Sequence, residues 1–397
     1  MLTTSELPQI DPGNSDASPT IDRRSALTMG LAMLGSALLP RATAFGEGRA
    51  AEGGPVAPVA RSTASIDDRA EWQYFRDMFV SLDGRAVDAA NGRSSSSEGQ
   101  GYALLLADWA ADRDSFERIL HWTETHLARS ADSLHAWAWT PRGPGRARKT
   151  GVDTLGELYI AWALLRAADR WGVPAWRSQA TAIADDLLDL VARQVDHRIL
   201  LTSGKLSRDN PSRAPVHPAH YHFPAIRALA AATGDGLWRR IDRDGMWLLD
   251  HARFGDDMLP ADRVDVSCRT GEVLPPRGRP LIWSWDALRV PLNLVWAGES
   301  AASALTSLAA YWNSPSGNAQ PAWIDLKSGD RASFGGHPGL MAIAAISLAT
   351  VAGGDAAPDL PGQQAGQDFY PSALAMLARV AWQERPASRS AGAPASG

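Results

Sequence analysis

Two short segments, far apart in the chain, each carry one carboxylate among small, polar or aromatic neighbours. Residues 97–102 read Ser-Glu-Gly-Gln-Gly-Tyr around Glu98, and residues 284–289 read Ser-Trp-Asp-Ala-Leu-Arg around Asp286. Acid/base cleavage of a glycosidic bond requires such a pair, because one carboxyl protonates the leaving oxygen while the other activates water. The acid needs surroundings that raise its pKa, since a free glutamic acid is almost fully ionised at neutral pH.

Glu98 follows a run of four serines, residues 94–97, and precedes Gly99 and Gly101. A serine can cap a helix, and a helix N-terminus stabilises negative charge, so Glu98 could be an ordinary helix-start residue. The two glycines favour a different interpretation, because they weaken a helix and let the backbone approach a ligand closely. The segment is thus compatible with a helix start and with a ligand site.

Asp286 lies three residues before Arg289, a spacing at which a helix brings two side chains together. The structural interpretation is a helix-start aspartate paired with that arginine. In the functional interpretation, Asp286 activates water and Arg289 keeps the carboxylate ionised and oriented. Trp283 and Trp285 flank the aspartate and could contact the flat faces of sugar rings.

A pair of tryptophans and a group of three histidines are further candidates for binding a ligand. Trp137 and Trp139 would lie on one side of an extended strand, either as a buried aromatic edge or as a platform for sugar. His217, His220 and His222 have spacings that a metal site could use. No cysteine accompanies these histidines and acidic residues are sparse nearby, so we expect no metal site.

The elements that must position these residues are predominantly helical. Stretches in which apolar and polar residues alternate are few, which argues against a large sheet. Residues 264–266 followed by Gly271 predict a small hairpin in a loop. About ten to twelve helices fit the length, and a closed array of helix pairs with its chemistry at one mouth is the simplest architecture. Four stretches place apolar residues on one helix face: Leu155, Leu158, Trp162 and Leu165; Ile183, Leu187, Leu190 and Val191; Leu305, Leu308 and Trp312; and Leu374, Leu377 and Ala378.

The ends of the chain differ from this folded part. Arg23 and Arg24 precede an apolar stretch, residues 26–39, and a small-residue cleavage pattern, residues 42–44. This pattern predicts a twin-arginine-like export segment over residues 1–44, with an ordinary secretory signal as the alternative. Either one predicts a periplasmic or secreted protein with no membrane insertion after cleavage. The remaining boundaries are a linker over residues 45–66, a catalytic domain over 67–385 and a disordered tail over 386–397.

Composition narrows the classes of partner. The 397 residues carry a net charge of −5, which gives no reason to expect nucleic acid or an anionic membrane surface. The single cysteine, Cys268, excludes an internal disulfide framework, and a large exported domain can rely on its core instead.

Residues 97–102 resemble the signature around the general acid of glycoside hydrolase family 8, and residues 83–88, Asp-Gly-Arg-Ala-Val-Asp, are similar to the run that precedes it in that family. Residues 284–292 resemble the segment that carries the family's general base, with Trp285 where tyrosine is usual. The resemblance covers roughly residues 72–382 and is strongest to endo-β-1,4-glucanases encoded with bacterial cellulose synthases.

The resemblance implies an all-α fold, an (α/α)6 barrel of about twelve helices, together with inversion of configuration and no cofactor. It implies Glu98 as the general acid, Asp286 as the general base and Arg289 as the partner of the base. The implied ligand is a β-1,4-glucan chain, and the implied protein partner is the cellulose synthase export machinery. Substrate contacts are expected at Trp137, Trp139, Tyr221, Trp285 and Arg289.

The chain departs from the family pattern at residues 153–157. The family's first aspartate in this run, which helps hold the sugar at the cleavage point, falls on Leu155, and its second becomes Glu157. Leucine cannot accept a hydrogen bond from a sugar hydroxyl, so Asp153, Glu157 or water must substitute, or activity is reduced or absent. A second departure is residues 217–220, His-Pro-Ala-His, where the family tends to have Asn and Ser.

Three hypotheses follow. The retained Glu98 and Asp286 favour an exported inverting endoglucanase that trims nascent β-1,4-glucan. Leu155 favours a catalytically impaired relative that binds and guides glucan. A hydrolase of another β-glycan, such as xylan or chitosan, is the third.

Overall fold

Helices account for most of the described chain. The computed structural model describes residues 68–141, 148–203, 212–354 and 356–386. The predicted export segment and linker lie outside these ranges, as does the predicted tail beyond Pro386. The described residues contain eleven α-helices: α1 (Asp68–Phe79), α2 (Ser97–Trp109), α3 (Arg113–Leu127), α4 (Thr154–Trp171), α5 (Pro174–Val191), α6 (Phe223–Thr233), α7 (Gly236–His251), α8 (Arg289–Ala297), α9 (Ser303–Trp312), α10 (Pro338–Val351) and α11 (Phe369–Glu384).

Six of these helices form a closed inner ring. Each of α2, α4, α6, α8, α10 and α11 packs against the next, and α11 returns to α2. The other five helices lie outside the ring: α1 against α2 and α11, α3 against α2, α5 against α4 and α6, α7 against α6, and α9 against α8 and α10. This arrangement confirms the predicted (α/α)6 barrel.

The inner helices begin at the same end of the barrel, which we call the mouth. Glu98 in the first turn of α2 contacts Arg289 at the start of α8, and Tyr370 at the start of α11 contacts Glu98 in turn. Asp153 caps α4, and His337 caps α10. Since helix N-termini carry partial positive charge, this geometry surrounds the mouth with sites that favour carboxylates.

Short strands complete the loops, and each strand of the described residues is only two to four residues long. The strands are β1 (Ser95–Ser96), β2 (Ala138–Trp139), β3 (Arg148–Lys149), β4 (Ala192–Val195), β5 (Arg198–Leu201), β6 (Arg213–Val216), β7 (Arg253–Phe254), β8 (Leu259–Pro260), β9 (Val264–Ser267), β10 (Val273–Leu274), β11 (Ile282–Trp283) and β12 (Ile324–Asp325). The predicted hairpin is confirmed, because β9 pairs with β10 in antiparallel register and β6 extends the pair to three strands. The other sheets join β1, β2 and β3, β4 with β5, β7 with β8, and β11 with β12.

The four predicted helix faces fall in α4, α5, α9 and α11, and most of their apolar residues join one continuous core. The inner helices α4 and α11 are buried on nearly every side, whereas α5 buries one face, as expected of an outer helix. Among the described residues, no helix combines the length and apolar character needed to cross a bilayer.

Two glycines set the close approach of α2 and α4. A Cβ on Gly101 would stand 2.7 Å from the Tyr159 Cβ, and a Cβ on Gly156 would stand 2.7 Å from the Glu98 backbone nitrogen. A Cβ on Gly99 would meet the Phe369 ring at 3.1 Å. The expectation that Gly99 and Gly101 let a ligand approach is therefore corrected, because they accommodate neighbouring helices.

Replacing Gly156 by alanine should destabilise the protein. Alanine gains up to about 1 kcal/mol of helix propensity, but overpacking a core costs about 1–3 kcal/mol, and here the clash is with backbone that cannot rotate away. We expect a lower free energy of unfolding in denaturant titration.

Gly236→Ala is the matched control in another helix, because its Cβ would meet only the Arg239 side chain, at 3.6 Å. The control should be neutral or slightly stabilising. Equal stability of the two variants would show that the contact between α2 and α4 can relax.

Candidate active site

Arg289 joins the two carboxylates singled out by the sequence. Its Nη2 donates to Glu98 Oε1 at 2.6 Å, and its Nη1 lies 3.4 Å from Asp286 Oδ1. Its Nε donates to the Tyr102 hydroxyl at 2.8 Å, and Nη1 also donates to the Trp285 carbonyl at 3.0 Å. Burial by itself lowers the pKa of Arg289, but the charge of Glu98 and the other acidic neighbours outweigh it and raise the pKa further above its usual value.

Two tyrosines complete the surroundings of Glu98. The Tyr102 hydroxyl donates to Oε1 of Glu98 from one helical turn further along α2, and the Tyr370 hydroxyl donates to Oε2 at 2.9 Å. Burial raises the pKa of both tyrosines, so both remain protonated donors. Ser96 caps α2 by accepting from the Gly99 backbone at 3.0 Å. Glu98 is therefore a helix-start residue and a member of the cluster at the mouth.

Asp286 is the more open of the two carboxylates. Its side chain keeps 32% of its surface exposed, compared with 11% for Glu98. Burial and the charge of Glu98 raise the pKa of Asp286, opposed by Arg289 and by Arg263, whose Nη2 lies 3.8 Å away. Water can therefore reach the Asp286 carboxyl, whose pKa lies above that of a free aspartate.

Asp262 holds the segment that carries Asp286. Its Oδ1 accepts from the backbone nitrogens of Ser284 at 2.7 Å and Ala287 at 2.9 Å, and its Oδ2 accepts from the Ser284 hydroxyl. Burial, followed by the charge of Asp286, raises the pKa of Asp262 to about 7. This carboxylate acts on the position of Asp286 through the loop.

Asp153 and Glu157, the two candidates to replace the carboxylate that is missing at Leu155, lie in different surroundings. Asp153 caps α4 and lies at the mouth, where its Oδ1 accepts from the Leu155 backbone at 3.2 Å. Glu157 is fully buried, and its two oxygens contact the His135 backbone nitrogen and Nδ1 at 2.8 and 3.0 Å. Leu155 belongs to the core. Geometry therefore favours Asp153 over Glu157 as the carboxylate available to a ligand.

Two of the expected aromatic contacts lie at the mouth. The backbone carbonyl of Trp137 accepts from the Ser97 backbone N–H at 3.1 Å, and the backbone N–H of Trp137 donates to the Gly151 carbonyl at 2.8 Å. These bonds place the half-buried Trp137 between the starts of α2 and α4. Trp285 is also half-buried and stacks on His337, with ring centroids 3.8 Å apart and planes 1° apart. Their roles in substrate binding stay predictions.

Three other aromatic expectations are corrected. Tyr221 is fully buried and its hydroxyl accepts from the Leu201 backbone at 3.0 Å, so it serves the core. Trp283 is 1% exposed and also belongs to the core. Trp139 is 9% exposed with the Arg85 guanidinium 4.9 Å above its ring, so the buried-edge interpretation applies to it.

The histidines near Tyr221 lie in the barrel without forming a metal site. His222 accepts from the Ala225 backbone through Nδ1 at 3.2 Å, which caps α6, and burial lowers its pKa to about 3. In the described ranges, no group of three or more His, Cys, Asp or Glu residues is arranged to hold a metal ion.

Comparison with known proteins agrees with this geometry. Residues 56–384 match the family model described as glycosyl hydrolases family 8. The chain belongs to this family.

Relatives of this family 8 chain cover most of its length. A probable endoglucanase of Novacetimonas hansenii is 33% identical over 341 residues, which cover 84% of this chain and 98% of the relative. An endoglucanase of Cellulomonas uda is 31% identical over 277 residues, or 70% and 77% of the two chains. The solved structure of the endo-β-1,4-glucanase CMCax from Acetobacter xylinum is similar with a TM-score of 0.74 and 33% identity, covering 80% and 98%.

Sequence reasoning missed three members of this family 8 site. No sequence pattern around Asp262 marks it, because its hydrogen-bond partners lie in the distant segment that carries Asp286 and come close only when the chain folds. Tyr370 lies within residues 72–382, over which the resemblance runs, and its position at a helix start could have identified it. His337 precedes Pro338, a helix-start pattern that predicts a cap.

Asp153→Asn should stabilise the protein at alkaline pH. Burial, followed by the charge of Glu98, raises the pKa of Asp153 from 3.8 to about 7. A raised carboxyl pKa means that the folded state is penalised as pH rises from about 4 to about 7, and that the full penalty persists above it. Asparagine still caps a helix, so the variant should be more stable by up to about 4 kcal/mol at pH 8, with the difference vanishing near pH 4.

The measurement is the free energy of unfolding at a series of pH values. Asp235→Asn, at the cap of α7, is the reference for exchanging a capping carboxylate for an amide outside the mouth. A stability difference for Asp153→Asn that grows toward acid would contradict the assignment.

Proposed function

We propose that this chain is an inverting endo-β-1,4-glucanase that hydrolyses internal bonds of a β-1,4-glucan chain. The family match and the endoglucanase relatives support a glycoside hydrolase of the endoglucanase type. The observation that carries the proposal is the single guanidinium of Arg289 held between Glu98 and Asp286.

The contacts of Arg289 set an upper limit on the separation of the two carboxylates. Since both carboxylates contact one planar guanidinium, at 2.6 and 3.4 Å, these two oxygens lie no more than about 8 Å apart. Carboxyl groups stand about 6.5–9.5 Å apart in inverting enzymes and about 5–5.5 Å apart in retaining ones, so this limit admits both and inversion rests on the family resemblance. The greater exposure of Asp286 supports its role as the group that meets this water.

The reaction transfers two protons. Protonated Glu98 gives its proton to the glycosidic oxygen as the bond to the anomeric carbon breaks. Water attacks that carbon from the opposite face, and Asp286 accepts the proton that water loses. The pair begins and ends with one negative charge, first on Asp286 and then on Glu98. Arg289 contacts both groups, so it neutralises that charge throughout the reaction.

Replacing either carboxylate should abolish most of the activity. We expect Glu98→Gln and Asp286→Asn to reduce reducing-end release from carboxymethylcellulose by at least about 100-fold, because general acid–base groups contribute about 10²–10⁴-fold. Fresh product from the wild-type enzyme should show inverted anomeric configuration by NMR. Retention of configuration, or substantial release by Glu98→Gln, would contradict the assignment.

Arg289→Lys provides a second arm of the same assay, because lysine is a point charge that cannot contact both carboxylates and Tyr102 at once. Arg113→Lys is the matched control, since Arg113 forms an exposed ion pair with Glu117 at 2.8 Å on α3. The first variant should lose most activity while the control stays near wild type.

A glucan-binding relative with little activity is the second candidate. The observation that favours it is the burial of Leu155 at 3% exposure, where the family resemblance implies a carboxylate. Binding of cello-oligosaccharide without reducing-end release by the wild-type protein would favour this candidate over hydrolysis.

We further propose that the enzyme is exported and accompanies cellulose production. The support is the Arg23–Arg24 pair, the apolar stretch that follows it and the resemblance to enzymes encoded with cellulose synthases. N-terminal sequencing of protein recovered from the periplasm or medium should find a new terminus after Ala44. An uncleaved cytoplasmic protein would contradict export.

A further inference from the structure

Two departures from the family pattern, distant in the sequence, meet at the mouth. Oδ1 of Asp153 lies 3.8 Å from Nε2 of His220, which belongs to the histidine-containing residues 217–220. Their side chains retain 13% and 9% of their surface. Neither is sealed in the core, so both can be reached by a ligand that enters the mouth.

Asp153 also lies beside the proposed point of cleavage. It caps α4, and Gly156 three residues later stands against the first turn of α2, where a Cβ would be 2.7 Å from the Glu98 nitrogen. The charge of Glu98 contributes to the raised pKa of Asp153, as expected for two neighbouring carboxylates. A sugar ring bound next to Glu98 would therefore meet Asp153.

The protonation of His220 gives the pair a defined polarity. Burial, followed by the charges of Arg263 and Arg289, lowers the pKa of His220 to about 3, so its imidazole is neutral and carries one N–H. Its buried Nδ1 has no hydrogen-bond partner in the described part of the chain, whereas Nε2 faces a carboxylate. The acceptor oxygen of Asp153 favours the tautomer with hydrogen on Nε2.

The gap between these atoms is too long for a direct hydrogen bond and suits a bridging oxygen. Direct N–H···O bonds have heavy-atom distances of about 2.7–3.2 Å, so 3.8 Å leaves the donor and the acceptor unsatisfied by each other. A hydroxyl group carries one donor hydrogen and two lone pairs, so it can accept from His220 and donate to Asp153 at once. An oxygen about 2.8 Å from each atom fits this separation.

We propose that Asp153 and His220 together bind one hydroxyl group of the sugar ring at the cleavage point. His220 donates from Nε2 and Asp153 accepts the hydroxyl hydrogen. This inference rests on the proposed glucanase function and names the residues that replace the missing carboxylate at Leu155. The His217 ring packs on His220 with centroids 4.6 Å apart and restrains its orientation.

The test compares His220→Gln with His220→Leu on cellopentaose. Glutamine can place an amide N–H where Nε2 stands, whereas leucine fills similar space without a donor. We expect His220→Leu to lower kcat/KM about 10- to 100-fold, His220→Gln to stay within about fivefold of wild type, and both to keep the wild-type Tm. Equal losses in the two variants would overturn the proposal.

A double-mutant cycle tests the pairing. Asp153→Ala combined with His220→Leu should lose little more activity than the worse single variant, because each change removes one of the two groups that hold the same hydroxyl, whereas asparagine would still offer an acceptor oxygen. Losses that multiply would show that the residues act independently and would overturn the proposal. His217→Gln is the control for a changed imidazole that packs beside His220, and it should have the smaller effect. Should His220→Leu fail to fold, the cycle is run with His220→Ala.

Failure of the proposed glucanase function and failure of the proposed hydroxyl-binding pair give different experimental results. A wild-type protein that releases no reducing ends fails as a glucanase, and cellopentaose binding by calorimetry then decides the pair. Weaker binding by His220→Leu than by His220→Gln supports the bridged hydroxyl, whereas equal binding by these two variants overturns it.

Discussion

The ion pairs of Arg289 are the interaction on which the rest of the site depends. Two carboxylates that approach each other in a poorly solvated mouth repel, and burial penalises the ionised form of each. A guanidinium in hydrogen-bond contact with Glu98 and close to Asp286 reduces both costs, and its planar fork fixes their relative positions. Tyr102 is hydrogen-bonded to both Arg289 and Glu98, so it orients the arginine as well as the acid.

The barrel stabilises this cluster of carboxylates through several of its helices. Six inner helices begin at the mouth, so their partial positive charge accumulates where the carboxylates stand. The same location explains the histidine cap of α10, because a neutral imidazole at His337 accepts from a backbone N–H without adding positive charge. Close contact of α2 with α4 at Gly101 and Gly156 brings Asp153 beside Glu98.

The departure at Leu155 illustrates how a fold can keep a carboxylate at the same helix start while the motif changes. Leu155 turns into the core, and the residue two positions earlier, Asp153, carries a carboxylate at the cap of the same helix. Glu157 looks like a conservative replacement in the sequence but is fully engaged with His135. Residue type alone could not distinguish these outcomes, because helix geometry and neighbouring partners decide which carboxylate faces the mouth.

Local patterns were sufficient to predict the helical class, the apolar faces of α4 and α11 and the segments around Glu98 and Asp286, since periodicity and capping depend on residues near each other in the chain. Only the tertiary structure decided that Tyr221 and Trp139 are buried, because an aromatic residue looks the same in the sequence whether its ring packs in the core or binds a sugar. It also decided that Asp262 supports Asp286. Burial and long-range hydrogen bonds depend on which helices become neighbours, and that information is spread over the whole barrel.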